Sequence, residues 1–408
     1  MISQTLYIID DDKQTVSLLA EYAQLLEHQA ITYTMAESFF AEVDSIDDNS
    51  IIILDLNMPE MDGIEVMRLM VKKNIKLPLI LISGYDSGVL HSAEQLAKAY
   101  SLEIIGTITK PFMFSDFKNI IQKYTKIERR QVPRSDLSIR KSELEKAIRQ
   151  KELVLYYQPQ INMQTGIMTG VEALVRWQHP QFGLIYPHLF IALAETSGLI
   201  EGLTEQVIKQ AVEQTLSWKS EDMEIHVSIN ISAENITSLS LPEQLTRMLQ
   251  HHTVDPSSIT LEVTENALMG KLVTSLDILT RLRMKGIALS IDDFGTGYSS
   301  LSQLYRMPFT ELKVDQSFVA NMTIDEEAYG IVKTCIMLGH ELNMKVVAEG
   351  VENAETLSLL KKMGCDIAQG YHIARPMPAD DLVPWMNFEQ KTPLQETKHT
   401  NLAITEKK

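Results

Sequence analysis

A chain of 408 residues, 45% hydrophobic and 22% charged, has material for two packed domains with ordinary buried cores. Its formal net charge of −17 argues against broad attraction to DNA or an anionic membrane. No apolar run reaches the roughly 18 residues of a membrane helix, and MISQTLYIIDDDK lacks the basic-then-apolar pattern of a signal peptide, so a soluble, cytoplasmic protein is expected.

Residues 1–124 alternate apolar runs (TLYII, AITYT, IIIL, LPLILIS, EIIGTI) with helical patterns such as KQTVSLLAEYAQLLE and GIEVMRLMVKK. Five strands alternating with five helices predict an α/β fold, a doubly wound five-stranded parallel sheet. Asp10 and Asp11 end the first strand, Asp55 the third and Ser83 the fourth, and Lys110 follows the fifth. Such strand ends share one crevice. Three carboxylates, a hydroxyl and a lysine there suit Mg²⁺-assisted phosphoryl transfer to a carboxylate.

Residues 125–138, charged and proline-bearing, read as a linker feeding a helix that Ser142 and Glu145 are expected to cap. From 139 to 388 a second alternation begins: LVLYYQPQI, VEALVRW, HVSINIS, ITLEVTE, IALSIDDF, ELKVDQSF, KVVAEGV and IAQGYHI. Its size fits a (β/α)₈ barrel. The first two strands read instead as a hairpin with Thr165–Gly166 at its turn, which predicts a modified barrel, irregular at its start. Residues 389–408 are polar and expected to be disordered. Cys335 and Cys365, both in apolar stretches, are too few for a disulfide framework or thiolate metal site and read as buried thiols.

The stretch IDDFGTGYSSL sets Asp292 and Asp293 side by side at the end of an apolar strand. A metal cluster explains such a pair; so, less specifically, does an acidic turn. Carboxylates recur at the same topological place: Glu172, Glu262, Glu265, Asp315, Glu349 and Glu352, with Asn230, Lys313 and Gln369 among them. Strand ends are where barrel enzymes place their chemistry. So many acids at one mouth repel strongly unless compensated. Two hard divalent cations with oxygen ligands provide that, and the absence of His and Cys from the set points to Mg²⁺ or Mn²⁺ rather than zinc.

QPQ at 158–160, EALVRW at 172–177, PHLFIALAETSGLI, SINIS, LEVTE, IDDFGTGYSSL, LKVDQSF, VAEGVE and CDIAQGY together resemble the EAL phosphodiesterases, which hydrolyse cyclic di-GMP to linear pGpG. The resemblance covers 139–388. It implies one metal held by Glu172, Asn230, Glu262 and Asp292, and a second held by Asp292, Asp293 and Glu349. It further implies that Lys313 neutralises phosphoryl charge, Arg176 clamps a phosphate, and Gln369 contacts substrate or a metal-held water. Either Glu349 or Glu352 would act as general base, and Glu265 would anchor the loop after Asp293. Residues 1–124 resemble the receiver domain of response regulators. That resemblance implies phosphorylation of Asp55, Mg²⁺ on Asp10 and Asp11, contact of Lys110 with the phosphoryl group, and Ser83 as the switch hydroxyl. Thr107 stands where many receivers carry an aromatic switch residue.

The implied partners are cyclic di-GMP, a sensor histidine kinase or small phosphodonor, and a second copy of the chain joined through the EAL domain, with no DNA and no membrane insertion. The alternative is a non-catalytic module that binds cyclic di-GMP or a partner protein. Loss of a metal ligand or of Lys313 would favour it, and none is lost.

Overall fold

The computed structural model describes residues 4–42, 46, 50–84, 87–100, 102–130, 139–265, 267, 272–296 and 301–389. The chain divides into two compact units, residues 1–138 and 139–408.

The first unit is a parallel sheet of β1 (Thr5–Ile9), β2 (Gln29–Tyr33), β3 (Ser50–Asp55), β4 (Leu79–Ser83) and β5 (Ile104–Thr109), ordered β2-β1-β3-β4-β5. β3 and β4 are buried along their whole length, as central strands covered on both faces must be. Alternation along β3 divides its side chains between two cores. Ile52 and Leu54 pack with Phe39, Met67 and Met70, whereas Ile51 and Ile53 pack with Leu19, Phe117 and Ile121. The strand order reverses between β1 and β3, so Asp10 and Asp55 sit at the crevice that ligands use in such sheets.

The last helix of this unit runs Phe114–Arg130, into the segment read from sequence as linker. Nothing in KIERR breaks a helix, and the first proline comes only at Pro133. Residues 131–138 and the tail beyond Glu389 lie outside the described residues. The next helix, Lys141–Gln150, is capped two residues before the expected position: the Arg140 N–H donates to Glu143 at 2.8 Å, and Ser142 falls inside the first turn.

The second unit is a closed barrel of β6 (Leu153–Asn162), β7 (Met168–His179), β9 (His226–Ile231), β10 (Ile259–Thr264), β11 (Ala288–Phe294), β12 (Glu311–Val314), β13 (Lys345–Ala348) and β14 (Ile367–Ala368). β7 and β9 to β14 run parallel. β6 closes the ring antiparallel to both β14 and β7. The expected hairpin is therefore present. Asn162 Oδ1 accepts from the N–H groups of Gln164 and Thr165, and Gly166 takes the left-handed conformation (φ 71°) that favours glycine. One strand escaped the sequence reading: β8 (Gly183–Ile185) adds to the outer part of β7. Among the described residues no helix is long and apolar enough to cross a membrane. Cys335 and Cys365 are both buried and free.

Candidate functional site

Parallel pairing in register is what gathers the acids. Glu262 on β10 lies beside Asn230 on β9, and Thr264 beside Asp292 on β11. Glu172 sits on β7, Lys313 on β12, and Glu349 and Gln369 directly follow β13 and β14. All open toward the C-terminal ends of the parallel strands.

Lys313 is the centre of the cluster and is 0% exposed. Its Nζ lies 2.6 Å from Glu349, 2.8 Å from Glu262, 3.2 Å from Asp292 and 3.8 Å from Glu172. Burial alone would discharge a lysine, but Asp292, Glu172, Glu262 and Glu349 hold its ammonium well above the ordinary lysine range. A single cation cannot serve every acid. Burial raises Glu262 well above the usual carboxylate range despite the adjacent Lys313. Glu349 is pushed to about 8, first by burial and then, against the pull of Lys313, by Asp292 and Glu172. Asp293 is pushed to about 6 by burial, Asp292 and Asp315. Glu172 goes the other way. Burial is outweighed by Lys313 and by two amide donors, Gln369 Nε2 at 2.5 Å and Asn230 Nδ2 at 2.6 Å.

The cluster fits cations beyond Lys313. Asp292, Asp293 and Glu349 each offer an oxygen within 4.8 Å of one another, and buried Glu262 Oε1 receives no hydrogen bond from the described residues. Asp293 holds an uncommon positive φ of 54°, and its own N–H donates to Asp292 Oδ1 at 3.0 Å. Glu265, 2% exposed, accepts from the Gly295 N–H at 3.1 Å, which ties down the backbone just after the acid pair. Residues 297–300 of the glycine-bearing loop lie outside the described residues.

Three expected members stand apart from the centre. Glu352 is exposed on the loop after β13. Asp315 caps the helix Gln316–Asn321, accepting from the Ser317 N–H at 2.9 Å. Arg176 is buried, donates to the Val175 carbonyl at 2.9 Å, and lies 5.0 Å from the ring centre of Tyr186. Two residues without an assigned role in the sequence, Gln158 and Gln160, are buried beside Gln369 and hydrogen-bonded to it. The only signal for them was QPQ itself, which marks β6 but not the direction of its amides.

In the first unit, Lys110 Nζ bridges Asp10 at 2.8 Å and Asp55 at 3.0 Å. Asp10, Asp11 and Asp55 offer oxygens within 4.8 Å of one another. Burial raises the Asp10 carboxyl from its ordinary value although Lys110 and the Asp12 N–H oppose it. Hydrogen bonds to Asp10 and Asp55 keep Lys110 raised in spite of burial. Ser83 is buried at the end of β4, and its carbonyl accepts from the Lys110 N–H at 2.7 Å. Gly63 lets the next helix close directly on this turn, since a methyl there would meet the Asp55 carbonyl at 2.7 Å. Thr107 occupies β5 beside Leu81.

Each of the two units matches a known domain family. Residues 141–376 match the EAL domain family, and residues 6–122 match the response regulator receiver domain. The cyclic di-GMP phosphodiesterase RocR of Pseudomonas aeruginosa is 31% identical over 344 residues, 83% of this chain and 87% of RocR. The bifunctional diguanylate cyclase/cyclic di-GMP phosphodiesterase MucR of the same organism is 42% identical over 242 residues, 59% of this chain. The chain spans only about a third of MucR, 35% of its length. A solved structure described as the PaMucR phosphodiesterase in complex with c-di-GMP superposes with a TM-score of 0.57 at 42% identity, covering 59% of this chain and 98% of that one.

Proposed function

Since the chain belongs to the EAL domain family and carries a receiver domain ahead of that module, we propose that it is a metal-dependent cyclic di-GMP phosphodiesterase under receiver control. The reaction would open the cyclic dinucleotide to linear pGpG. The observation that carries the reading is the acid cluster of Glu172, Glu262, Asp292 and Glu349 around buried Lys313, with Asp293 beside it. The names of RocR and MucR support the substrate class. A binding-only module is disfavoured because such a module has no need to keep Lys313 charged and buried among four acids.

Glu172, Asn230, Glu262 and Asp292 would hold one divalent ion, Mg²⁺ or Mn²⁺, and Asp292, Asp293 and Glu349 a second. A pair of such ions supplies Lewis-acid stabilisation of phosphoryl oxygens and a water nucleophile usable at neutral pH. Lys313 presents a fixed cation to the charge that develops on phosphorus-bound oxygen, in a site where little water competes. Arg176 sits four residues along β7 from Glu172, on the same face, suited to a substrate phosphate. Gln369 is engaged with Glu172, so its role here is to orient that carboxylate. A carboxylate whose lone pairs hold a cation is a poor base. Assigning Glu349 as a ligand therefore leaves Glu352, exposed just beyond it, as the proton acceptor.

Metal binding should release protons. Without metal, Glu349 titrates near 8 and Asp293 near 6, and both must ionise to bind. Affinity for Mn²⁺ is therefore expected to rise with pH through 8, and to fall more steeply below 6. Calorimetry at pH 7 in buffers of different ionisation enthalpy should report net proton release on binding; none would contradict the assignment of Glu349.

Glu265→Ala is expected to lower turnover by about 10²-fold, the scale of a ~1 Å displacement in an oriented site. Extra metal should restore it only in part, because the direct ligands remain. Full restoration would make Glu265 a ligand itself.

In the receiver, Asp55 would be phosphorylated by a histidine kinase or small phosphodonor with Mg²⁺ on Asp10 and Asp11. The modification adds about −1.5 to −2 charge, which Lys110 and the Ser83 hydroxyl would meet. Thr107 provides no ring to swing inward, so the response is expected to be modest: activation of roughly 3–30-fold, near the lower part of typical allosteric coupling. Asp55→Asn should abolish the response to a phosphodonor. A persisting response would place the switch elsewhere.

A further inference from the structure

β6 is the one antiparallel strand of the ring and supplies no carboxylate to the cluster. It supplies amides instead. Gln158 and Gln160, two residues apart and so on one face of the strand, are 7% and 5% exposed. β14 pairs beside them, with Ala368 opposite Ile161, which brings Gln369 to the same place. A directed chain results. Gln160 Nε2 donates to Gln369 Oε1 at 2.9 Å. Gln369 Nε2 donates to Glu172 Oε2 at 2.5 Å and to Gln158 Oε1 at 3.1 Å. Gln158 Nε2 in turn donates to the Ala374 carbonyl at 3.1 Å.

Every link has a fixed polarity. Glu172, when ionised, only accepts, so it requires the NH₂ end of Gln369. A reversed Gln369 would set its oxygen against that carboxylate and its NH₂ against the NH₂ of Gln160. The backbone also leaves room for the Gln160 amide. Its strand partner is Gly170, where a methyl group would stand 3.3 Å from Gln160 Oε1 and 2.9 Å from the His226 carbonyl.

We infer that Gln160 is a positioning residue that, by fixing the direction of the Gln369 amide, aims the Glu172 carboxylate for metal binding. The inference rests on the reading of Glu172 as a ligand. Partners bonded directly to a ligand, as Gln369 is to Glu172, typically govern metal affinity by about 10–100-fold, and Gln160 acts on that bond through Gln369.

The test uses the full chain and free Mn²⁺ as the probe, its binding followed by electron paramagnetic resonance, with the receiver's ion on Asp10 and Asp11 counted apart from the two sites of the barrel. Gln160→Met keeps bulk but cannot donate. Gln160→Glu keeps shape but, when ionised, opposes the Gln369 oxygen. Both are expected to weaken one of the two Mn²⁺ sites by about 10–100-fold, with an unchanged circular dichroism spectrum. A purely structural role would lower the melting temperature of either variant without altering the Mn²⁺ affinity of the folded protein. A loss below that range in both variants overturns the inference. Glu172→Gln separates the two levels of the argument. If it loses a Mn²⁺ site while both Gln160 variants keep theirs, only the positioning role fails. If it keeps both sites, the ligand reading fails and takes this inference with it.

Discussion

Lys313→Met is expected to lower hydrolysis of cyclic di-GMP by at least ~10²-fold, the scale of losing one contact to developing charge. Removing the ammonium from a fully buried position leaves four carboxylates, at 2.6 to 3.8 Å from where it stood, facing one another. Breaking a buried charge pair from one side typically costs about 3–5 kcal/mol, so the chelated variant should melt well below the parent. Divalent ions can supply the missing positive charge to the acids, but not a cation at the phosphoryl group. Mn²⁺ should therefore recover much of the lost stability and little of the lost turnover. Parallel melting and turnover measurements, with chelator and with Mn²⁺, separate these effects. Turnover near the parent value in the metal-loaded variant would reduce Lys313 to a counter-ion.

Asp292→Asn is the second large effect. Asparagine keeps the shape and can still accept from the Asp293 N–H, so the backbone turn at φ 54° should survive. What disappears is the charge of the one carboxylate assigned to both ions. Turnover should fall by at least ~10²-fold, and Mn²⁺ titration should show both sites weakened rather than one. Selective loss of a single site would mean that Asp292 is not shared; normal binding and turnover would remove it from the site altogether.

The parts legible in the sequence are those that local pattern controls. Runs such as IIILD and LILIS announced buried parallel strands, and the Thr165–Gly166 turn announced the antiparallel start of the barrel. The three-residue β8 was too short to carry a period, and helix Phe114–Arg130 outran a boundary drawn on charge, a proline and the lack of apolar runs. The acids were legible because strand ends of a barrel converge whatever their neighbours. Roles that depend on the third dimension were not. Asp315 has the right position in sequence, yet its carboxylate is engaged in capping a helix. Gln160 has an unremarkable one, but the closure of β6 onto β14 sets it one amide away from Glu172. Partners decide direction where burial does not: Glu172 and Glu262 are both buried strand glutamates, but Lys313 together with two amide donors lowers the carboxyl of Glu172, while that of Glu262 is raised by its burial.

The most direct measurement incubates the purified chain with cyclic di-GMP and Mg²⁺, with and without excess chelator, and separates the nucleotides by chromatography. The account predicts linear pGpG as the product, its formation abolished by chelator and restored by added Mg²⁺. Cyclic di-GMP that is bound but recovered intact in the presence of Mg²⁺ and Mn²⁺ would contradict it, and would make the module a receptor rather than a hydrolase.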